Sequence, residues 1–214
     1  MTQTTHSATE RGDDVAREAI TPERFAEIAA RLRERGFGDD VEWSESAGAP
    51  ANAEDFAAEA IFVVCNSGMK NTVARRIYDR VMAALEAGES ARIAFGHPGK
   101  AAAIDDIWNR RENWYFQFTR VETDADRLAA CEAMPWIGGI TKYHLAKNFG
   151  VQVAKPDVHL QRLADAEGVT PPALCERLAE ATGYRVATVD LILWRACATG
   201  LINSRALSQE GRDG

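Results

Sequence analysis

Apolar residues recur along this chain at intervals of three and four, the spacing that gathers them on one face of an α-helix, and strand-type alternation is scarce. Phe25, Ile28, Ala29 and Leu32 share such a face behind Thr21-Pro22, an N-cap followed by a proline at the first helical position, with Gly36 as the stop. A loop rich in Gly, Ser, Ala and Asp is expected from Gly36 to Asn52. Asn52 then caps a helix through Phe56, Ala60, Ile61 and Val64. A second helix, from Asn71 to Ala87, carries Val73, Ile77, Val81 and Leu85 inward and closes at Gly88. Helices are also expected after Pro98, through Ile104, Ile107 and Trp108, and after Asp124, through Leu128 and Cys131. Four more follow: Ile140 to Gly150, one opened by Asp157, Thr170-Pro171 to Gly183, and Val189 through Trp194 and Cys197 to Gly200. The pattern predicts an all-α protein without an internal repeat.

A chain of 214 residues can bury a real core, and the helical pattern is most simply one compact unit over residues 21–206. Residues 1–20, rich in Thr, Ser, Asp, Glu and Arg, read as a flexible tail and residues 207–214 as a flexible end. Neither is a signal peptide, and no stretch is long and apolar enough to span a bilayer, so a cytoplasmic protein is expected. Cys65, Cys131, Cys175 and Cys197 stand singly within apolar helical patterns and read as buried thiols. No Cys-x-x-Cys pair suggests a metal, and no cofactor is expected.

The formal net charge of −7 disfavours DNA if taken whole, but its distribution changes the picture. Residues 1–60 hold 6 basic against 14 acidic side chains, whereas residues 61–163 hold 14 against 11. Between Gly138 and Leu163, Lys142, Lys147, Lys155 and Arg162 stand against Asp157 alone. The middle of the chain is therefore mildly basic.

That same stretch carries the most specific signal. Met134-Pro135-Trp136-Ile137-Gly138-Gly139-Ile140-Thr141-Lys142 reads as the end of a helix, a tight Gly turn and a new helix over 134–150; Lys155-Pro156-Asp157-Val158-His159-Leu160 then opens another. Such a turn exposes backbone N–H groups at a helix start, which suits a DNA phosphate. The pattern resembles the helix-hairpin-helix DNA glycosylase superfamily, the endonuclease III-like group, without its iron–sulfur loop. The likeness extends over about residues 54–200. It implies two helical lobes with a cleft between them, and excision of a damaged or modified base from double-stranded DNA by a monomer associated with the nucleoid. Asp157 falls at the catalytic Asp of that family, and His159 at a His that is usually structural. On the residues alone, Asp157 is equally an N-cap, a role compatible with catalysis.

The resemblance also assigns what is missing. A strand-cleaving member carries a Schiff-base Lys in the helix after the turn. The corresponding residue here is Ile140, so hydrolysis is expected rather than lyase chemistry, with Lys142 and Lys147 as fallback amines. Trp136 stands where the family has its first Gly, either packing on the sugar-phosphate backbone or filling core space. The amides of Ile137, Gly138 and Gly139, with Thr141 and Lys142, are the expected phosphate contacts. Asn66, Ser67, Met69 and Lys70 fall in the loop that probes the opposite strand.

The run from Trp108 to Phe118 concentrates aromatics among polar residues. It is either a core helix-turn or the source of rings for a base pocket, with Trp108, Trp114 and Phe118 as candidates and Asn113 or Gln117 reading the base edge. The reading is a DNA N-glycosylase. The alternatives are a non-catalytic DNA-binding protein on the same scaffold, and an interaction protein using the acidic N-terminal part.

Overall fold

A computed structural model describes residues 19–206; the segments 1–18 and 207–214, which belong to the predicted tail and end, lie outside the described residues. The elements in chain order are α1 (Pro22–Leu32), α2 (Gly38–Ser46), α3 (Ala53–Asn66), α4 (Asn71–Glu86), α5 (Pro98–Asn109) and α6 (Arg111–Thr119). They continue with α7 (Asp124–Glu132), α8 (Thr141–Asn148), α9 (Val158–Ala166), α10 (Pro171–Thr182) and α11 (Val186–Ala198). No strand occurs among the described residues, so the protein is all-α. None of the described helices is long and apolar enough to cross a membrane. The chain divides into two compact units: residues up to Glu45 together with those from Ala154 onward, and Ser46–Val153.

The first unit is built from α1, α2, α9, α10 and α11. Thr21 caps α1 by accepting from the Arg24 amide, and Phe25, Ile28, Ala29 and Leu32 are buried, as the pattern predicts. Ile20, counted with the tail in the sequence reading, is instead a core residue. Its side chain is buried and its N–H donates to Glu167 at 2.8 Å. The expected loop from Gly36 to Asn52 also needs correction. Gly36 turns the chain at φ 88°, and Gly38–Ser46 forms a helix. Val41 and Ser44 are buried, and the Ser44 hydroxyl meets that of Thr188 on α11 at 3.0 Å. One apolar anchor and one polar pair leave almost no hydrophobic periodicity to read. The terminal signals of α10 hold: Thr170 caps it, Pro171 begins it, and Gly183 ends it in the left-handed region at φ 78°. Helix α11 buries Val189, Ile192, Leu193 and Ala196 against α1, α9 and α10.

In the second unit α3 is the central helix, packed by α4, α5, α6 and α8. It buries Phe56, Ala57, Ala60, Ile61, Val63, Val64 and Cys65, so it is apolar nearly all round, as a helix without a free face should be. Phe56, Phe118 and Phe149 form an aromatic cluster with ring centroids 4.7 to 5.6 Å apart. Each such ring contributes about 1.5 to 3 kcal/mol by burial. On α4, Val81 and Leu85 face inward as expected, whereas Val73 is exposed. Thr123, one residue before the expected cap, accepts from the Asp126 amide to start α7. This frees the Asp124 carboxylate to take the Gln152 amide at 3.1 Å.

Two stability predictions follow from this unit. Gly150 has φ +77°, and a Cβ there would lie 2.9 Å from Ala47 O and from Gly48 Cα. Backbone on both sides cannot swing away, so Gly150→Ala should cost about 2 kcal/mol or more in urea unfolding. Glu59 on α3 accepts from the Asn148 amide at 2.5 Å, and burial pushes its carboxyl above the usual range. A raised folded pKa means that the folded state holds its proton longer, so this site becomes destabilising as pH rises. Glu59→Gln should therefore stabilise the fold at neutral pH, with the gain shrinking as pH falls toward the ordinary carboxylate range.

Candidate active site

In the second unit, the turn between α7 and α8 is shaped by Trp136. Its φ is +66°, the left-handed region that a residue with a Cβ enters at a cost of about 1–2 kcal/mol. This is a conformation that a glycine adopts without that cost. The Trp136 ring is 44% exposed and stands edge-on to His97 at 5.1 Å. It also lies directly over Gly99 of α5, where an added Cβ would meet the ring at 2.7 Å.

Beyond Trp136 the backbone amides separate into used and unused. Ile137 N–H donates to Met134 O at 3.2 Å and the side chain is buried, so this amide is occupied, contrary to expectation. Lys142 N–H returns to Gly138 O at 2.9 Å and closes the first turn of α8. The amides of Gly138, Gly139, Ile140 and Thr141 have no acceptor among the described residues. They sit at a helix start with no side-chain cap, where N–H groups and the helix dipole favour an anion. Lys142 is paired with Glu132 at 2.6 Å, and that hydrogen bond raises its pKa further. Ile140 is 54% exposed.

The other predicted residues of this unit divide sharply. Asn66 ends α3 with its Oδ1 buried and unpartnered; Ser67 and Gly68 turn the chain, Met69 rests on the core, and exposed Lys70 opens α4. These four candidates therefore share one loop. The aromatic candidates differ in burial. Phe118 is interior, enclosed by Phe56 and Phe149, and Trp114 is buried with its Nε1 donating to Asp106 at 3.2 Å. Trp108 is half-buried, with the Arg111 guanidinium 4.7 Å from its ring centroid. For Trp114 and Phe118 the core reading replaces the pocket reading.

In the first unit Asp157 is the N-cap of α9. Its Oδ1 accepts from His159 N at 2.9 Å and Leu160 N at 3.0 Å, while Oδ2 has no donor among the described residues. The segment before it is fixed from α11. Asp190, 1% exposed, accepts the Lys155 amide, and Asp157 N–H donates back to Lys155 O at 2.8 Å. Asp190 was missed in the sequence reading; its signal was a lone acid inside the apolar run Val189-Asp190-Leu191-Ile192. His159 Nδ1 meets the buried Ser204 hydroxyl at 2.8 Å, which suits its expected structural part. Burial, and to a smaller extent the Asp157 carboxylate, pushes the Cys197 thiol up to about 11 against a hydrogen bond from Ser204 that lowers it. Cys65, at about 11, and Cys131, at about 12, are likewise held neutral by burial.

Among solved structures, the 8-oxoguanine DNA glycosylase of Thermotoga maritima is similar to this chain, with a TM-score of 0.56 at 19% identity. The match covers 81% of this chain and 96% of that one. The chain shares the fold of that protein. No family model matches the chain, and no curated protein is detectably similar to it in sequence.

In this chain the left-handed residue of the α7–α8 turn is a tryptophan. Removing the ring while keeping a Cβ leaves the backbone strain in place; removing both relieves it. Trp136→Gly should therefore be more stable than Trp136→Ala by about 1 kcal/mol, the reverse of their order in a helix. Thermal unfolding of the two variants measures the difference.

Proposed function

We propose that the protein is a monofunctional DNA N-glycosylase that releases a modified base from duplex DNA by hydrolysis. The observation that carries the reading is Asp157. Its carboxylate is pinned by two backbone amides through one oxygen, leaves the other oxygen open, and stands in a fold shared with a DNA glycosylase. In the proposed reaction the bond from C1′ to the base nitrogen breaks and its electron pair leaves with the base. Positive charge then builds on the sugar, and the fixed Asp157 carboxylate stabilises it without having to reorganise. Water adds at C1′ with Asp157 orienting the attack, and the proton it loses ends on the departing base, whose nitrogen took the bonding pair.

The free amides from Gly138 to Thr141 support a phosphate contact, and the Asn66–Lys70 loop supports contact with the strand opposite the target. Hydrolysis is favoured over a Schiff-base route because Ile140 has no amine and Lys142 is held as an ammonium by Glu132. The partner is double-stranded DNA, the acting species a monomer in the cytoplasm. The second reading is a non-catalytic DNA-binding protein, favoured by Ile140 standing where an amine nucleophile would be.

The test is base release from a panel of duplexes carrying oxidised, alkylated, deaminated or mispaired bases, with hot alkali revealing abasic sites. 8-Oxoguanine comes first, since the similar glycosylase is named for it. Asp157→Asn keeps a good cap, so its fold and duplex affinity should stay close to wild type while release falls by about a hundredfold or more. Release undiminished in that variant removes Asp157 from the mechanism. No release by the wild type from any duplex leaves the binding-protein reading.

A further inference from the structure

Lys100 is a lysine in the interior. It sits at the third position of α5, 6% exposed, with its Nζ donating to Ser67 O at 2.5 Å and lying 5.7 Å from the Phe95 ring centroid. Burial lowers its pKa, with the nearby Cys65 thiol working the other way. An ammonium taken out of water is costly unless what it binds repays the loss. What it binds is the backbone of one loop. Ser67 is the C-cap of α3, with ψ 114° turning its carbonyl out of the helical direction, and Gly68 follows at φ 74°. Besides the Ser67 N–H to Val63 O and Met69 N–H to Asn66 O bonds, and the Val73 and Ala74 amides that Lys70 O accepts, this carbonyl gives the Asn66–Lys70 loop a tie to a side chain of another helix.

The same helical turn is held from the opposite direction. His97 Nδ1 caps the Lys100 amide at 3.2 Å, and the Trp136 ring covers Gly99. The first turn of α5 thus touches the α7–α8 turn through Gly99 and the α3–α4 loop through Lys100, all within one compact unit.

We infer that Lys100 is a positioning residue: it clamps the Ser67 carbonyl so that the Asn66–Lys70 loop is held ready to enter a gap left in DNA. The inference rests on the glycosylase reading for its use and on the Lys100–Ser67 contact for its existence. An unclamped loop would have to be ordered at the moment of binding, and that entropy would come out of the discrimination between gapped and intact duplex.

The test compares wild type, Lys100→Met and Lys100→Arg in two measurements. The first is the affinity ratio between a duplex carrying one tetrahydrofuran abasic analogue and the same duplex intact. The second is amide hydrogen exchange of the free protein. Lys100→Met fills the site without a charge and should lower the ratio by about tenfold, the scale of one charge-assisted hydrogen bond. Exchange should quicken across residues 66–70 and not through the rest of Ser46–Val153. Lys100→Arg, which keeps a donor, should recover part of the ratio. A ratio unchanged in Lys100→Met overturns the inference, as does faster exchange spread through the whole unit, which would mark Lys100 as a general stabiliser. A wild-type protein without any preference for the analogue fails at the glycosylase reading, before any variant is made.

Discussion

Short helices set the terms of this protein. A helix of eight to sixteen residues leaves a large share of its backbone N–H and C=O groups unpaired at its ends, and an interior cannot hold them without partners. The chain answers with side chains placed at helix starts: Thr21, Asn52, Thr123 and Thr170 by hydroxyl or amide, His97 by a ring nitrogen, Asp157 by a carboxylate. The candidate functional groups are where that accounting is left open. Helix α8 starts with amides that nothing in the described chain accepts, and Asp157 satisfies two amides while keeping an oxygen in reserve.

The capping residues were also the most legible part of the sequence. Thr21-Pro22, Asn52, Thr170-Pro171 and Gly183 mark their boundaries because each has a local reason to be there, independent of what packs on the helix. Helix α2 was not legible, since beyond Val41 it is held by polar contacts to Arg185, Thr188 and Arg195, partners far away in the chain. The outward turn of Val73 and the burial of Trp114 and Phe118 were hidden for the same reason. A helical face or an aromatic run says that something will be covered, not by what.

At the candidate site the types of residue were readable and their hydrogen-bond partners were not. The Gly138-Gly139 turn and Asp157 stand out by spacing, but that Ile137 spends its amide on Met134 follows only from the folded path. Lys100 was invisible for a related reason, and Asp190 showed only as a lone acid in an apolar run. A charged residue in a helical pattern reads as solvent-facing, and only the fold shows these two held inside by backbone atoms at Ser67 and Lys155.

The tryptophan at the α7–α8 turn has a consequence for how this sequence can change. The ring lies so close over position 99 that a methyl group there would have to push it aside. The two sites are therefore tied in order. A side chain at position 99 displaces the ring at position 136, whereas the ring can be lost without any change at position 99. Drift at this turn runs more freely in one direction than in the other, and the pair should vary together among close descendants of this chain.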